Sequence, residues 1–210
     1  MGIRVLFIYP NTFGMNMLPP AIALFSAILK QHDHQVALFD ATYYSVDYGV
    51  NSDGTKAERL NVVPFETGTL GIKMRETDWR DDLDAQFALF NPDLIALSTT
   101  EDMWLLGTRM LEEIEEFILR HRIPVIAGGV FPTFAPELVI RHHLVDMVCV
   151  GEGEVTLIDL CDRIKKGDSW NDVTNIWVKQ KDGSITKNPI AKSFEINDTP
   201  IIDIDLFEEQ

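Results

Sequence analysis

Five short, unbroken apolar runs constrain this chain more than anything else in it: Ile3 to Tyr9, Val36 to Phe39, Leu94 to Ser98, Pro124 to Ala127 and Met147 to Val150. Alternating residues would mark strands with one wet face, whereas continuous runs mark strands buried on both faces of a parallel sheet. Parallel strands need crossover connections, and helical patterns fill the gaps. Leu18, Ala21, Ile22, Phe25, Ile28 and Leu29 recur at helical spacing within Met17 to Gln31, as do Leu106, Met110, Ile114, Phe117 and Ile118 further on. Glu112, Glu113, Glu115 and Glu116 fall off the second stripe and read as its solvated face. The alternation predicts an α/β fold built on a doubly wound, flavodoxin-like or Rossmann-like, five-stranded parallel sheet.

Two segments depart from that plan. Residues 43–79 separate the second strand from a helix near Asp81 to Phe90, and Gly49, Gly54, Gly68 and Gly71 mark them as an irregular insertion. Later, Ile176 to Lys179 and Ser184 to Lys187 flank Lys181-Asp182-Gly183, a β-hairpin signal. From Glu195 to Gln210 there are six acids and no base, with Pro200 among them, so this stretch reads as a linker or tail outside the core. The expected division is an α/β domain over residues 1–168 and a hairpin appendage with its linker over 169–210.

Charge and composition exclude several functions. With 18 Lys and Arg against 33 Asp and Glu, the net charge is −15, and no basic cluster offers itself to a phosphate backbone. No apolar run reaches the roughly 18–20 residues of a spanning helix. Leu6 stands where a myristoylation signal needs Ser or Thr. Cys149 and Cys161 lie in apolar surroundings that suit a reducing compartment, so a cytoplasmic protein is expected.

In a doubly wound sheet the ligand sits beyond the carboxyl ends of the strands, which selects the loops to read. The first, holding Asn11, Thr12, Phe13 and Gly14, leads into a helix start whose free N–H groups can receive an anion or amide oxygen; it reads equally as a plain turn, and the strand before it ends without the acidic residue of a phosphoacceptor receiver. The third strand ends in Ser98, Thr99 and Thr100. The fourth ends in Gly128-Gly129, followed by Phe131, Pro132 and Thr133; paired glycines there serve positive φ or close approach of a ligand. The fifth is followed by Gly151-Glu152-Gly153-Glu154, which is not a dinucleotide fingerprint because Thr156 replaces the third glycine and the strand is the last. No P-loop, Ser-His-Asp order or Cys-x-x-Cys is present, and His32, His34, His142 and His143 read as helix-end residues, so neither a catalytic constellation nor a protein metal site is expected.

As an ordered set these loops resemble the N-terminal cobalamin (B12)-binding domain of cobalamin-dependent radical S-adenosylmethionine enzymes. The resemblance rests on Tyr9-Pro10, Pro19-Pro20-Ala21-Ile22-Ala23, Asp40, Asn91-Pro92-Asp93-Leu94-Ile95, Gly128-Gly129 with Pro132-Thr133, Pro136-Glu137, and Val145-Asp146 leading to Gly151-Glu152-Gly153-Glu154. It implies that this domain binds cobalamin without catalysing by itself. S-adenosylmethionine, a 4Fe-4S cluster and the chemistry, methyl transfer or a related radical reaction on a small molecule, would belong to a further barrel domain whose Cys-x-x-x-Cys-x-x-Cys ligands this sequence lacks. Methionine-synthase-like relatives carry Asp-x-His-x-x-Gly after the first strand, and here that loop reads Pro10-Asn11-Thr12-Phe13-Gly14. The resemblance therefore implies base-off cobalamin with no histidine below cobalt. Its tail would pass Ser98, Thr99, Gly128 and Gly129, its corrin would face Thr12, Phe13 and Trp104, and Glu152 and Glu154 would accept hydrogen bonds from corrin amides or meet a neighbouring domain. On that placement, Gly129→Val is expected to block binding and leave the circular dichroism nearly unchanged.

Two other readings stay open at this level. One is a flavodoxin-like domain for a nucleotide or flavin, with phosphate held at Asn11-Thr12. The other is a ligand-free docking domain with a collapsed crevice.

Overall fold

The computed structural model describes residues 2–12, 18–46, 71 and 73–208. Most of the 43–79 insertion, together with Phe13 and Gly14, lies outside these residues. Strand β1 (Arg4–Tyr9) is followed by α1 (Pro20–Gln31), β2 (Gln35–Asp40), α2 (Trp79–Phe90) and β3 (Leu94–Ser98). Then come α3 (Trp104–Glu113), α4 (Glu115–His121), β4 (Val125–Gly128), α5 (Val130–Phe134), α6 (Pro136–Val139), β5 (Met147–Cys149) and α7 (Glu154–Lys166). The chain ends in β6 (Ile176–Lys179), β7 (Ile185–Lys187) and two short 3-10 turns, Ile196–Asp198 and Asp205–Phe207.

These strands make one sheet in the order β2-β1-β3-β4-β5-β6-β7. The first five are parallel, and the strand order reverses between β1 and β3. The hairpin is where the structure departs from expectation: β6 pairs antiparallel with β5, so the sheet has seven strands, not five plus an appendage. The three-residue β5 would otherwise present an unpaired edge, which β6 satisfies from Met147 to Cys149.

Both faces of the sheet are covered, as the unbroken apolar runs require. Leu6, Ile8, Ile95, Leu97, Val125 and Ala127 face α2, α3, α4 and α6 through Leu83, Phe87, Leu106, Met110, Ile118 and Val139. Val5, Phe7, Leu94, Ala96, Ile126 and Cys149 face α1 and α7 through Ile22, Leu29, Leu157 and Leu160. Alternate residues of one strand thus enter opposite cores, which is the period-2 geometry of a strand applied to two apolar layers.

Strand starts are fastened by reciprocal clasps. Asp93, just before β3, accepts from the Arg4 amide at 2.8 Å while its own amide donates to the Arg4 carbonyl at 2.8 Å. Asp146, just before β5, does the same with Val125 of β4, at 2.9 and 3.0 Å. Each aspartate joins its own strand to a neighbour at the amino end, which fixes register there and leaves the carboxyl ends free to diverge.

The helical pattern around Ile114 is broken: α3 ends and α4 begins at that residue, where φ −96° and ψ 15° depart from helical values. Helix α1 starts at Pro20, three residues later than its apolar spacing suggests, because proline suits the first helical turn. The acidic terminal stretch is likewise packed, not loose. The Asp203 amide donates to the Ala23 carbonyl at 3.0 Å, its carboxylate accepts from Ser26 and Lys30, and Leu206 is buried in the core cluster on that face of the sheet, its turn lying against β2. No helix among the described residues is long and apolar enough to cross a membrane.

Candidate functional site

At the carboxyl ends of the parallel strands, on the α1/α7 side, the structure opens a cavity of about 410 Å³. Its floor is Phe7 of β1, Ala96, Leu97 and Ser98 of β3, Ile126 and Gly128 of β4, and Cys149 of β5. Ala21 and Phe25 of α1 form one wall, and Gly151, Glu152, Gly153, Glu154 and Leu157 form the other. Gly129, Val130, Thr133 and Phe134 close it above β4. The walls are overwhelmingly apolar, and among the described residues neither lysine nor arginine contributes to them.

Backbone geometry keeps this space open. Gly151 has φ 91° and lets the chain turn from β5 into α7, and its amide donates to Thr133 Oγ1 at 3.2 Å, tying that loop to the loop after β4. Gly153 caps α7, and a Cβ there would stand 2.9 Å from the Phe25 ring, so the ring tip lies directly against the bare backbone. Asn175 Nδ2 holds the Glu152 carbonyl at 2.7 Å from the hairpin side.

Gly129 meets the first of the two needs that its sequence position suggests, a positive φ. Its φ is 108°, and a Cβ would lie 2.7 Å from the Thr99 carbonyl oxygen, so the glycine is required for β4 to turn beside the β3 loop. A side chain at 129 strains the backbone before it fills the cavity, which corrects the expectation that Gly129→Val would leave the fold intact. Gly128 is the slot residue: its φ is unstrained, and a Cβ would meet Cys149 Cβ at an ordinary 3.7 Å.

Of the residues singled out from the sequence, the cavity gathers Ser98, Gly128, Gly129, Thr133, Gly151, Glu152 and Gly153. Asn11, Thr12, Thr99, Thr100, Phe131 and Pro132 stand elsewhere on the same strand ends. Asn11 Nδ2 donates to Thr42 Oγ1 at 2.8 Å, and the Thr42 amide and hydroxyl both donate to Asp40 Oδ1. Burial pushes the Asp40 carboxyl up against these bonds, and burial together with Asp40 pushes Tyr9 up to about 12. Thr99 lies under Gly129 and donates its hydroxyl to the Thr100 carbonyl at 2.9 Å. Phe131 packs on half-buried Trp104, ring centres 5.7 Å apart, and His142 meets the same indole edge-on at 6.0 Å.

Three side-chain oxygens at this end are buried without hydrogen-bond partners: Thr12 Oγ1, Thr100 Oγ1 and Glu154 Oε2. Thr12 and Thr100 follow β1 and β3, the two strands between which the order reverses. Unpartnered buried oxygens are costly, and each of these would gain from a polar partner. Sequence reasoning missed the apolar lining, Phe7, Ala21, Phe25, Ala96, Leu97, Ile126, Val130, Phe134, Cys149 and Leu157. Nothing in a single sequence separates a buried residue that packs from one that packs and also borders a cavity. Cys149 is such a residue: its thiol is pushed up to about 12 by burial and by Glu154, which disfavours the thiolate.

No group of three or more His, Cys, Asp or Glu side chains among the described residues is placed to hold a metal ion, and none of the five histidines lines the cavity.

Residues 63–160, from inside the insertion through the first half of α7, match the model of the B12 binding domain family. With the sheet order and the cavity beyond its carboxyl ends, this match makes the chain similar to domains of the B12-binding type over those residues. Two curated relatives are each 30% identical to it: an uncharacterized methyltransferase of Pyrococcus horikoshii over 122 residues, and the 4'-phospho-dehydrooxetanocin synthase of Priestia megaterium over 118. They align with 56% and 54% of this chain but with only 25% and 16% of their own lengths, so the chain spans a quarter or less of either relative.

Solved structures share the fold over most of the chain. The radical S-adenosylmethionine methyltransferase TsrM of Kitasatospora setae, with cobalamin and a [4Fe-4S] cluster bound, superposes with a TM-score of 0.64 at 17% identity, covering 95% of this chain and 31% of that one. The cobalamin-dependent S-adenosylmethionine radical enzyme OxsB with aqua-cobalamin bound gives 0.67 at 21%, covering 99% and 25%.

Proposed function

We propose that this domain binds cobalamin, base-off and with no histidine below cobalt, on behalf of a larger cobalamin-dependent radical S-adenosylmethionine enzyme. The observation that carries this reading is the apolar cavity between the β1, β3, β4 and β5 carboxyl ends and helices α1 and α7. Its dimensions and lining suit a flat aromatic base, and Gly128 leaves its floor open. Leu18, Leu105, Val130, Phe134 and Val155 are exposed on the loops and first turns that leave the same strand ends, with Phe134 84% accessible. An apolar rim of that breadth suits a corrin, and the hydroxyls of Thr12 and Thr100 suit its amide arms.

When bound, cobalamin supplies an alkyl-carrying cobalt. This chain's residues hold and orient it: the cavity takes the nucleotide tail, the glycine turns let backbone approach, and the rim excludes water from the corrin edge. S-adenosylmethionine and the iron–sulfur cluster fall to a further domain, in keeping with the small share of each relative that the chain spans. A flavin mononucleotide or nucleoside diphosphate brings two or more negative charges, against the single charge of cobalamin's phosphodiester, and no lysine or arginine among the described residues lines the cavity to meet them.

The test is to mix the purified protein with hydroxocobalamin, remove free ligand by gel filtration, and record the visible spectrum of the protein peak. Coelution with a base-off spectrum is expected; coelution with a base-on or histidine-ligated spectrum would refute the lower-ligand assignment, and absence of corrinoid would refute binding by this domain.

A further inference from the structure

Three titratable side chains border the cavity: Cys149, Glu152 and Glu154. Two are engaged within the chain. Cys149 Sγ donates to the Glu152 carbonyl at 3.8 Å, and Glu152 Oε2 accepts from the Phe194 amide at 3.3 Å. Glu154 opens α7 on the cavity wall and leaves Oε2 sealed from solvent with no partner. A carboxylate at a helix start is ordinarily stabilised there, and the Gly153 and Glu154 amides do lower its pKa. Burial is the larger influence, and with Glu152 nearby it pushes Glu154 above the usual carboxylate range.

Among the described residues no lysine or arginine offsets this. On the cavity side Glu154 faces Cys149 and Glu152, and in the shallow depression behind it stand His32 from the end of α1 and Glu195 and Asp198 from the terminal segment. A neutral carboxyl differs from a carboxylate in one respect that matters to a ligand: it donates a hydrogen bond. In an otherwise apolar slot, one donor discriminates between ligands that can accept and ligands that cannot.

Resting on the corrinoid reading above, we propose that Glu154 is the specificity-determining residue of the cavity, donating from its carboxyl to a ring nitrogen of the ligand's buried heteroaromatic base. The slot then selects corrinoids with a benzimidazole-type or purine-type lower base over those with a phenolic base, which presents no ring nitrogen.

The experiment is an equilibrium titration followed by visible absorption. Hydroxocobalamin, a phenolyl cobamide and cobinamide, which has the corrin but no tail, are each titrated into the unaltered chain, Glu154→Gln and Glu154→Leu. Affinities are read as ratios to cobinamide, so that changes at the corrin cancel. The unaltered chain is expected to prefer hydroxocobalamin to the phenolyl cobamide by about tenfold, as one added hydrogen bond implies. That preference should fade as pH rises through the carboxyl's titration. Glu154→Gln, whose amide still donates but does not titrate, should keep the preference at every pH, and Glu154→Leu should lose it. A preference that survives in Glu154→Leu, or that ignores pH in the unaltered chain, overturns the proposal and leaves corrinoid binding standing. Failure of the unaltered chain to bind any of the three overturns both. Circular dichroism of the Leu variant guards against misfolding, and the pH profile of the unaltered chain decides the matter if that variant does not fold.

Discussion

At the end of β4 the backbone turns at Gly129, where a Cβ would stand 2.7 Å from the Thr99 carbonyl oxygen. Two adjacent glycines at the end of β4 are visible in the sequence, but only the structure separates their duties: Gly129 turns the backbone at φ 108° against Thr99, while Gly128 borders the cavity with unstrained geometry. Gly129→Ala is therefore expected to cost roughly 1–3 kcal/mol, the range for a non-glycine residue forced into that region. Gly128→Ala, which meets Cys149 at ordinary contact distance, should leave the melting temperature close to that of the unaltered chain. Thermal melts of the two variants check this, and equal destabilisation would mean that the turn is not strained. Asp93 offers a test by pH. Burial would raise its carboxyl, but the Arg4 guanidinium and amide outweigh that and hold it below the usual range. A carboxyl whose folded pKa is lowered adds stability above its unfolded pKa, and that contribution is lost as pH falls through the lowered folded value. With both partners about a third exposed, Asp93→Asn should cost about 1 kcal/mol at neutral pH and progressively less in acid. Urea denaturation at two pH values measures the difference, and a pH-independent loss would assign the effect to packing.

At the level of elements, what was legible was whatever repeats. The five apolar runs became β1 to β5 because burial on both faces leaves an unmistakable signature. Asp93 and Asp146, which marked the resemblance as sequence motifs, turn out to be the clasps at the strand starts. Illegible were the features decided by partners distant in sequence. Nothing within residues 176–187 says that the hairpin will complete the β5 edge, and nothing within Glu195 to Gln210 says that an acidic segment will lie along α1. Its acids look solvated until Asp203 finds Ser26 and Lys30 some 170 residues earlier in the chain. This terminal segment carries a stability prediction: Leu206, 9% exposed in the β1/α1/α7 core, should cost about 2 kcal/mol on substitution by alanine. A loss near zero in a thermal or chemical melt of Leu206→Ala would restore the linker reading.

For the molecule as a whole, the sheet order and the cavity are consequences of one another. Because β1 and β3 run side by side with their following segments diverging to opposite faces, space opens beyond the strand ends, and the glycines after β4 and β5 keep side chains out of it. The sequence showed which loops would meet there but not the shape they enclose, since that shape is set by α1 and α7 leaning together through Phe25 and Gly153. A ligand that fills such a cavity binds the folded chain and not the unfolded one, so it must raise stability by mass action. At a hundredfold excess over its dissociation constant the gain is about 2.7 kcal/mol. For a chain of 210 residues that corresponds to a rise in melting temperature of about 5–10 °C. Hydroxocobalamin should produce this rise, followed by far-ultraviolet circular dichroism. Flavin mononucleotide and adenosine diphosphate, tested at the same concentration, should not, because each carries two or more negative charges against the single one of cobalamin's phosphodiester, and no lysine or arginine among the described residues lines the cavity. A rise with either of these and none with hydroxocobalamin would move the assignment to a nucleotide, and the apolar rim at Val130 and Phe134 would then need another occupant.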